Sequence, residues 1–301
     1  MDRTIDRREF IKLAGLGGVV FASGLGASAC TSVPGARSTA ELEDFYFVQL
    51  SDTHWGFEGP PNPDARGTLP KAVAAINALA QPPDFVVFTG DLTHLTPDPQ
   101  LRRARMAQFR DLAARLQVRQ VHFLPGEHDA SLDHGQAFEE LFGPTHYAFD
   151  HKGVHFIALD NVSEPSGAIG AAQLSWLAED LAKLNKDTPI VVLTHRPLFD
   201  LVPEWGWATA DAARAIELLA PHSRVTVFYG HIHQEHHRMT GAIAHHAAKS
   251  LIFPLPAPGS ADHKPMPWDP TQPYRGLGWR QIEAGQNLRE TEIREFLVQA
   301  A

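Results

Sequence analysis

From Glu43 onward the chain repeats one pattern: a short run rich in Val, Phe, Ile and Leu that stops abruptly in polar, metal-capable residues. It occurs in "FYFVQLSDTH", "FVVFTGDLTH", "VHFLPGEHD", "IVVLTHRP" and "VTVFYGHIH". Unbroken apolar runs of this length belong to strands covered on both faces, because a strand with one wet face alternates instead. Between them, apolar residues fall at helical spacing over 69–79, 101–116 and 172–184. The alternation predicts an α/β fold with a largely parallel sheet. "THYAFDHKGVHFIALDN" predicts a hairpin turning at Lys152-Gly153. Beyond Gly241 the chain reads as strand and loop, with the Pro-rich "FPLPAPGS" and "HKPMPWDPTQP". No repeat and no linker divides residues 44–301, which are expected to form one domain.

Residues 1–29 break the pattern. Arg7 and Arg8 precede Phe10, Lys12 and a Gly-rich uncharged stretch too short for a comfortable membrane span. This arrangement resembles the twin-arginine export signal, whose alternative is a basic amphipathic N-terminus kept in the mature protein. Ala27-Ser28-Ala29 reads as a cleavage site. Cys30 follows it directly, as in bacterial lipoproteins lipidated on their first mature residue, and residues 30–43 read as a flexible tether. The expected partner is the twin-arginine machinery. The expected location is the periplasm, with a lipid anchor at Cys30 favoured over ordinary cleavage at Ala29.

Composition narrows the chemistry. With 301 residues, 44% hydrophobic and 20% charged, the chain can bury a large core. A formal net charge of -9 and the lack of a basic run argue against a nucleic-acid scaffold, though not against a small nucleotide substrate. A single cysteine excludes a disulfide framework or a Cys-rich zinc module, whereas 17 histidines are many for this length.

Ligands of open α/β sheets bind beyond the carboxyl ends of the strands. Five successive strand ends here deliver Asp52 and His54, Asp91, Glu127 and His128, His195, and His231 and His233. A lone Asp after a strand is ordinarily a helix cap and a lone His a satisfied polar residue, but five on one edge exceed what capping explains. Gly90, Gly126 and Gly230 precede three of these groups and are expected to supply sharp turns.

The ordered set "SDTH", "GDLTH", "GEHD", "THRP" and "GHIH" resembles the calcineurin-like metallophosphoesterases, especially the branch containing class III cyclic-nucleotide phosphodiesterases. The resemblance implies a four-layer αββα sandwich of two mixed sheets and a site for two divalent ions, Mn, Fe or Zn. It assigns Asp52, His54 and His233 to the first ion, Glu127, His195 and His231 to the second, and Asp91 to both. His128 is left to stabilise the transition state or protonate the leaving oxygen. Two ions about 3.5–4 Å apart clamp a phosphoryl group and acidify a water, so the implied step is in-line attack of metal-bound hydroxide on phosphorus.

Two residues depart from the family pattern. Glu127 stands where the family has Asn, adding negative charge beside an incoming anion. His94 stands where many members have an Asp that orients the catalytic His. It is expected to contact a ligand from outside or to act as an extra ligand, and Asp129 is the nearest replacement carboxylate in sequence. His236, His237, His245 and His246 fall on expected strands, and Trp205, Trp207 and Trp268 on long connections that could rim a pocket. The sequence therefore predicts an exported hydrolase of phosphate mono- or diesters. Two alternatives remain: different, possibly redox, metal chemistry on the same scaffold because of Glu127, and a non-catalytic metal-binding lipoprotein.

Overall fold

The computed structural model describes residues 44–284 and 292–299. The expected signal and tether, Arg7, Arg8 and Cys30 included, lie outside the described residues. Two mixed sheets form the centre. The first contains β1 (Phe45–Leu50), β2 (Phe85–Thr89), β3 (Val121–Leu124), β10 (Gly278–Ala284) and β11 (Glu292–Leu297), in the order β11-β10-β1-β2-β3. Its β1, β2 and β3 run parallel, while β10 is antiparallel to both neighbours. The second contains β4 (Tyr147–His151), β5 (Val154–Ala158), β6 (Ile190–Leu193), β7 (Val225–Tyr229), β8 (His236–Thr240) and β9 (Ile243–Ala247). Their order is β4-β5-β6-β7-β9-β8, with only the outer pairs antiparallel.

Why the strands read as unbroken apolar runs is now visible. Along β1, Phe45 and Phe47 face the second sheet while Tyr46, Val48 and Leu50 face helices. In β2, Phe85 and Val87 turn inward and Val86 and Phe88 outward, so period-2 alternation places an apolar residue on each face. The outer face of the first sheet is covered by α1 (Ala65–Asn77) and α2 (Pro99–Ala113), through Leu69, Val73, Met106 and Phe109. The inner faces meet through Phe47, Phe85, Phe156, Val191 and Phe228, with Phe47 stacked on Phe85 at 4.9 Å. The far face of the second sheet is covered by α5 (Ala171–Leu181) and α6 (Ala212–Leu219), through Leu177, Leu181, Ala215 and Leu219. Short α3 (Glu127–Ala130) and α4 (Gln136–Phe142) follow β3. This is the expected four-layer αββα sandwich.

Helix limits differ from the apolar spacing by a few residues, for local reasons. The Asp98 carboxylate accepts hydrogen bonds from the amides of Gln100 and Leu101, and Pro99 occupies the first turn, so α2 begins before its first apolar residue. The hairpin turn is where the dipeptide put it: Lys152 and Gly153 both have positive φ, 45° and 80°. Among the described residues no helix is long and apolar enough to cross a membrane.

Candidate metal centre

The carboxyl ends of β1, β2, β3, β6 and β7 meet along one edge, and the seven expected ligands converge there. One donor atom from each of Asp52, His54, Asp91 and His233 lies within 4.8 Å of the others, and the same holds for Asp91, Glu127, His195 and His231. Asp91 is common to both sets. Its Oδ2 lies 3.4 Å from His54 Nε2 and 3.5 Å from His195 Nε2, between the two halves of the site.

Backbone conformation aims these side chains. Asp52, His54, Asp91, His231 and His233 all have φ between 43° and 67°, a left-handed region that L residues seldom occupy. Hydrogen bonds continue past the strand ends and hold the loops there: Asp52 N–H to Gly90 O, His54 N–H to Asp91 O, and Trp55 N–H to Leu92 O. The glycines act differently from the expectation of three sharp turns. Only Gly90 has positive φ. At Gly126 a Cβ would lie 2.1 Å from Asp91 Oδ1, and at Gly230 1.9 Å from Ser51 Oγ, so these two permit close approach instead.

The imidazoles are fixed by their outward nitrogens. His195 Nδ1 donates to Thr89 O (2.7 Å), His233 Nδ1 to Phe253 O (2.8 Å) and His231 Nε2 to Gly206 O (3.0 Å). A carbonyl can only accept, so the lone pairs of His195 Nε2, His233 Nε2 and His231 Nδ1 face inward, as metal-bound histidines require. His54 directs Nε2 inward to 3.2 Å from His233 Nε2, and its Nδ1 lies 3.4 Å from His94 Nδ1. His94 thus touches the back of a candidate ligand, and His54, His94 and His128 also bring one donor atom each within 4.8 Å of one another, so both of its expected placements stand.

Whether cations fit is answered by the unsatisfied atoms. Among the described residues, His195 Nε2, His231 Nδ1 and Glu127 Oε2 are buried without a hydrogen-bond partner of regular geometry. They crowd together, His195 Nε2 at 2.8 Å from Glu127 Oε2 and His231 Nδ1 at 2.9 Å from Glu127 Oε1. Imidazole nitrogens and carboxylate oxygens converging on a common point form a donor set that suits Mn, Fe or Zn. Without cations, protons take up part of the charge. Burial alone would lower His195, yet Asp91 and Glu127 raise it well above the ordinary imidazole value. Burial opposes ionisation of Glu127, but His231 and His195 hold its carboxyl well below the usual range. Cation binding must therefore release protons.

His128 sits at the mouth, its ring 4.5 Å from that of His54. The Leu95 amide donates to its Nδ1 at 3.0 Å, which leaves the ring proton on Nε2. Asp129, the nearest carboxylate in sequence to His128, makes its hydrogen bonds elsewhere. Its carboxylate accepts from the amides of Leu92, Thr93 and Gly126 and from the Thr93 hydroxyl, tying the β2 and β3 loops together.

Sequence reasoning passed over Phe253, which packs on the rings of His54 and His233, and Arg196, whose Nε lies 3.7 Å from Glu127 Oε2. Trp207 is buried and Trp205 meets it edge to face at 4.9 Å, on either side of the Gly206 carbonyl that anchors His231. Trp268 packs on Tyr274. His236 and His245 turn toward Phe199, and His237 pairs with His246 at 2.7 Å.

Residues 45–235 match the calcineurin-like phosphoesterase family. A probable cyclic nucleotide phosphodiesterase of Rhodococcus erythropolis is 32% identical over 164 residues, covering 51% of this chain and 52% of that protein. The serine/threonine-protein phosphatase CPPED1 of Mus musculus is 30% identical over 177 residues, covering 52% and 57%. The chain thus spans about half the length of these curated relatives. A dimetal phosphatase from Danio rerio shares the fold, with a TM-score of 0.55 at 15% identity over 85% of this chain and 99% of that one.

Proposed function

The chain belongs to the calcineurin-like phosphoesterase family, and from that premise we propose that it is a dinuclear-metal hydrolase of phosphate esters. The observation that carries the reading is the pair of four-residue donor sets sharing Asp91. Two divalent cations held there would supply Lewis acidity to phosphoryl oxygens and lower the pKa of a water.

The chain's own residues do the rest. Asp52 is held by the His231 amide, which donates to both carboxylate oxygens at 3.1 and 3.0 Å, so the strand-end loops of β1 and β7 are locked in one geometry. Asp91 Oδ1 accepts the His128 amide at 2.9 Å, which leaves Oδ2 to face both sets. His128 presents Nε2–H at the mouth, placed to stabilise charge on a phosphoryl or leaving oxygen. Phe253 walls the first set and the Trp205–Trp207 segment the second, limiting water around the reacting group.

We also propose that the protein acts outside the cytoplasm. Arg7-Arg8 with Phe10 and Lys12 supports twin-arginine export, and Cys30 supports a lipid anchor. To test the catalytic reading, metal-stripped protein is reloaded with Mn, Fe or Zn and assayed on phosphate mono- and diesters. Turnover that requires two ions per chain is expected. Tight binding of two ions with no ester turnover would favour the non-catalytic alternative, and metal-dependent oxygen consumption the redox one.

A further inference from the structure

We propose that Arg196 binds a non-bridging phosphate oxygen of the substrate and thereby directs the site toward dianionic phosphate monoesters. The proposal rests on the phosphoester reading and adds a substrate class to it.

Arg196 follows His195 at the end of β6, and its backbone is clamped from both sides. Asn161 Oδ1 accepts the Arg196 amide at 3.2 Å, while Asn161 Nδ2 and Thr194 Oγ1 donate to the Arg196 carbonyl at 2.9 Å each. These bonds fix where the side chain starts. Yet the guanidinium donates no hydrogen bond among the described residues. Its Nε is buried and without a partner, 3.7 Å from Glu127 Oε2, a distance of charge contact rather than hydrogen bonding. The Nη1 end is accommodated by Gly167, where a Cβ would lie 2.5 Å away. An arginine whose five donors are idle beside a candidate metal ligand is poised for an oxyanion.

Charge counting explains why this chain carries it. Asp52, Asp91 and Glu127 bring three negative charges against four positive charges of two divalent ions, leaving one. A neutral residue in place of Glu127 would leave two. Arg196 restores the second positive charge next to the residue that removed it. Oxygen counting then selects the substrate. A monoester offers three non-bridging oxygens, so one would remain for Arg196 if each cation bound one. A diester offers two, and its alkoxy oxygen is a poor partner for a guanidinium.

The test uses the full chain loaded with two equivalents of Mn. Metal content, inorganic phosphate binding by calorimetry, and kcat/KM on p-nitrophenyl phosphate and bis(p-nitrophenyl) phosphate are compared for the wild type, R196Q, R196K, E127N and E127N/R196Q. Two bound ions should persist in R196Q. Its phosphate Kd should rise by about tenfold to a hundredfold, the range for one charge-assisted hydrogen bond. Monoester kcat/KM should fall by a similar factor and diester kcat/KM by less. R196K should recover part of the phosphate affinity. Phosphate affinity should remain lower in E127N/R196Q than in E127N, since Arg196 then acts on the ligand and not only on Glu127. Unchanged phosphate affinity in R196Q, or equal losses on both esters, would overturn the proposal. If the wild type binds phosphate but turns over neither ester, the hydrolase reading fails while the phosphate isotherms still decide the role of Arg196.

Discussion

Five candidate ligands sit in the left-handed region, and this sets an unusual rule for substitutions in metal-free protein. Asp52, His54, Asp91, His231 and His233 have φ of 53°, 43°, 48°, 67° and 54°. An L residue held there costs about 1–2 kcal/mol, which glycine avoids. Glycine in turn loses about 0.5–1 kcal/mol through the greater freedom of its unfolded chain. For His233, the Gly and Ala variants delete the same imidazole and leave nearly the same cavity, so their difference isolates the backbone. His233→Gly should be more stable than His233→Ala by about 0.5–1 kcal/mol. His195 supplies the control, because it belongs to the same site without positive φ. There the order should invert, His195→Ala exceeding His195→Gly by about 0.5–1 kcal/mol. Exposed His134, with φ 54° and no place in the site, should follow His233. Urea titrations of chelator-treated protein measure each pair. The same Gly–Ala order at His233 and His195 would refute the claim that strain is built into the ligand loops. Across five positions the strain amounts to about 5 kcal/mol or more, comparable to the whole stability of a typical domain.

Further outcomes are expected. Elemental analysis should find two ions per saturated chain, one after His231→Ala, and disturbed occupancy of both after Asp91→Ala; at most one ion in the wild type would refute the dinuclear site. His245 is fully buried, neither ring nitrogen has a hydrogen-bond partner among the described residues, and burial with nearby Arg238 lowers its pKa to about 4. The unfolded chain, with an ordinary value near 6.5, takes up this proton first, so stability falls as pH drops from about 6.5 toward 4. His245→Leu should remove about 2–3 kcal/mol of that acid-side loss, read as a smaller shift of the urea midpoint between pH 7.5 and 4.5; an unchanged shift would show that another group titrates. Replacing Arg7 and Arg8 with Lys should hold precursor in the cytoplasm, and Cys30→Ser should move mature protein from the membrane fraction to the soluble one, both followed by fractionation and immunoblotting.

The strand ends were legible because burial on both faces of each sheet leaves polar residues nowhere to go but the edges. Asp52, Asp91, Glu127, His195 and His231 are therefore visible as interruptions of apolar runs. What local pattern cannot carry is contact between distant loops. Sequence adjacency of Asp129 and His128 says nothing of contact, and the turn into α3 points the Asp129 carboxylate at the amides of Leu92 and Thr93. The partner of His128 is a backbone amide, which no side-chain identity announces. Arg196 reads as an ordinary surface charge until the fold brings β3 and β6 to one edge. Nor does any neighbouring residue foretell that five ligands have positive φ; that follows from the hydrogen bonds joining the loops beyond the strands.

If the two donor sets hold cations, the scattering of the candidate ligands along the chain governs when a cation could be captured during synthesis. The first set has Asp52, His54 and Asp91 early but lacks its fourth member until His233, and the second waits for His195 and His231. At about 5–20 residues per second, the roughly 180 residues from Asp52 to His233 take about ten to forty seconds to be made. Throughout that interval a nascent chain offers only partial, exchangeable coordination. Selection among available metals is therefore postponed until the second sheet has docked on the first. The cation pool that matters is the one surrounding the protein where its folding ends, whatever compartment it occupies afterwards.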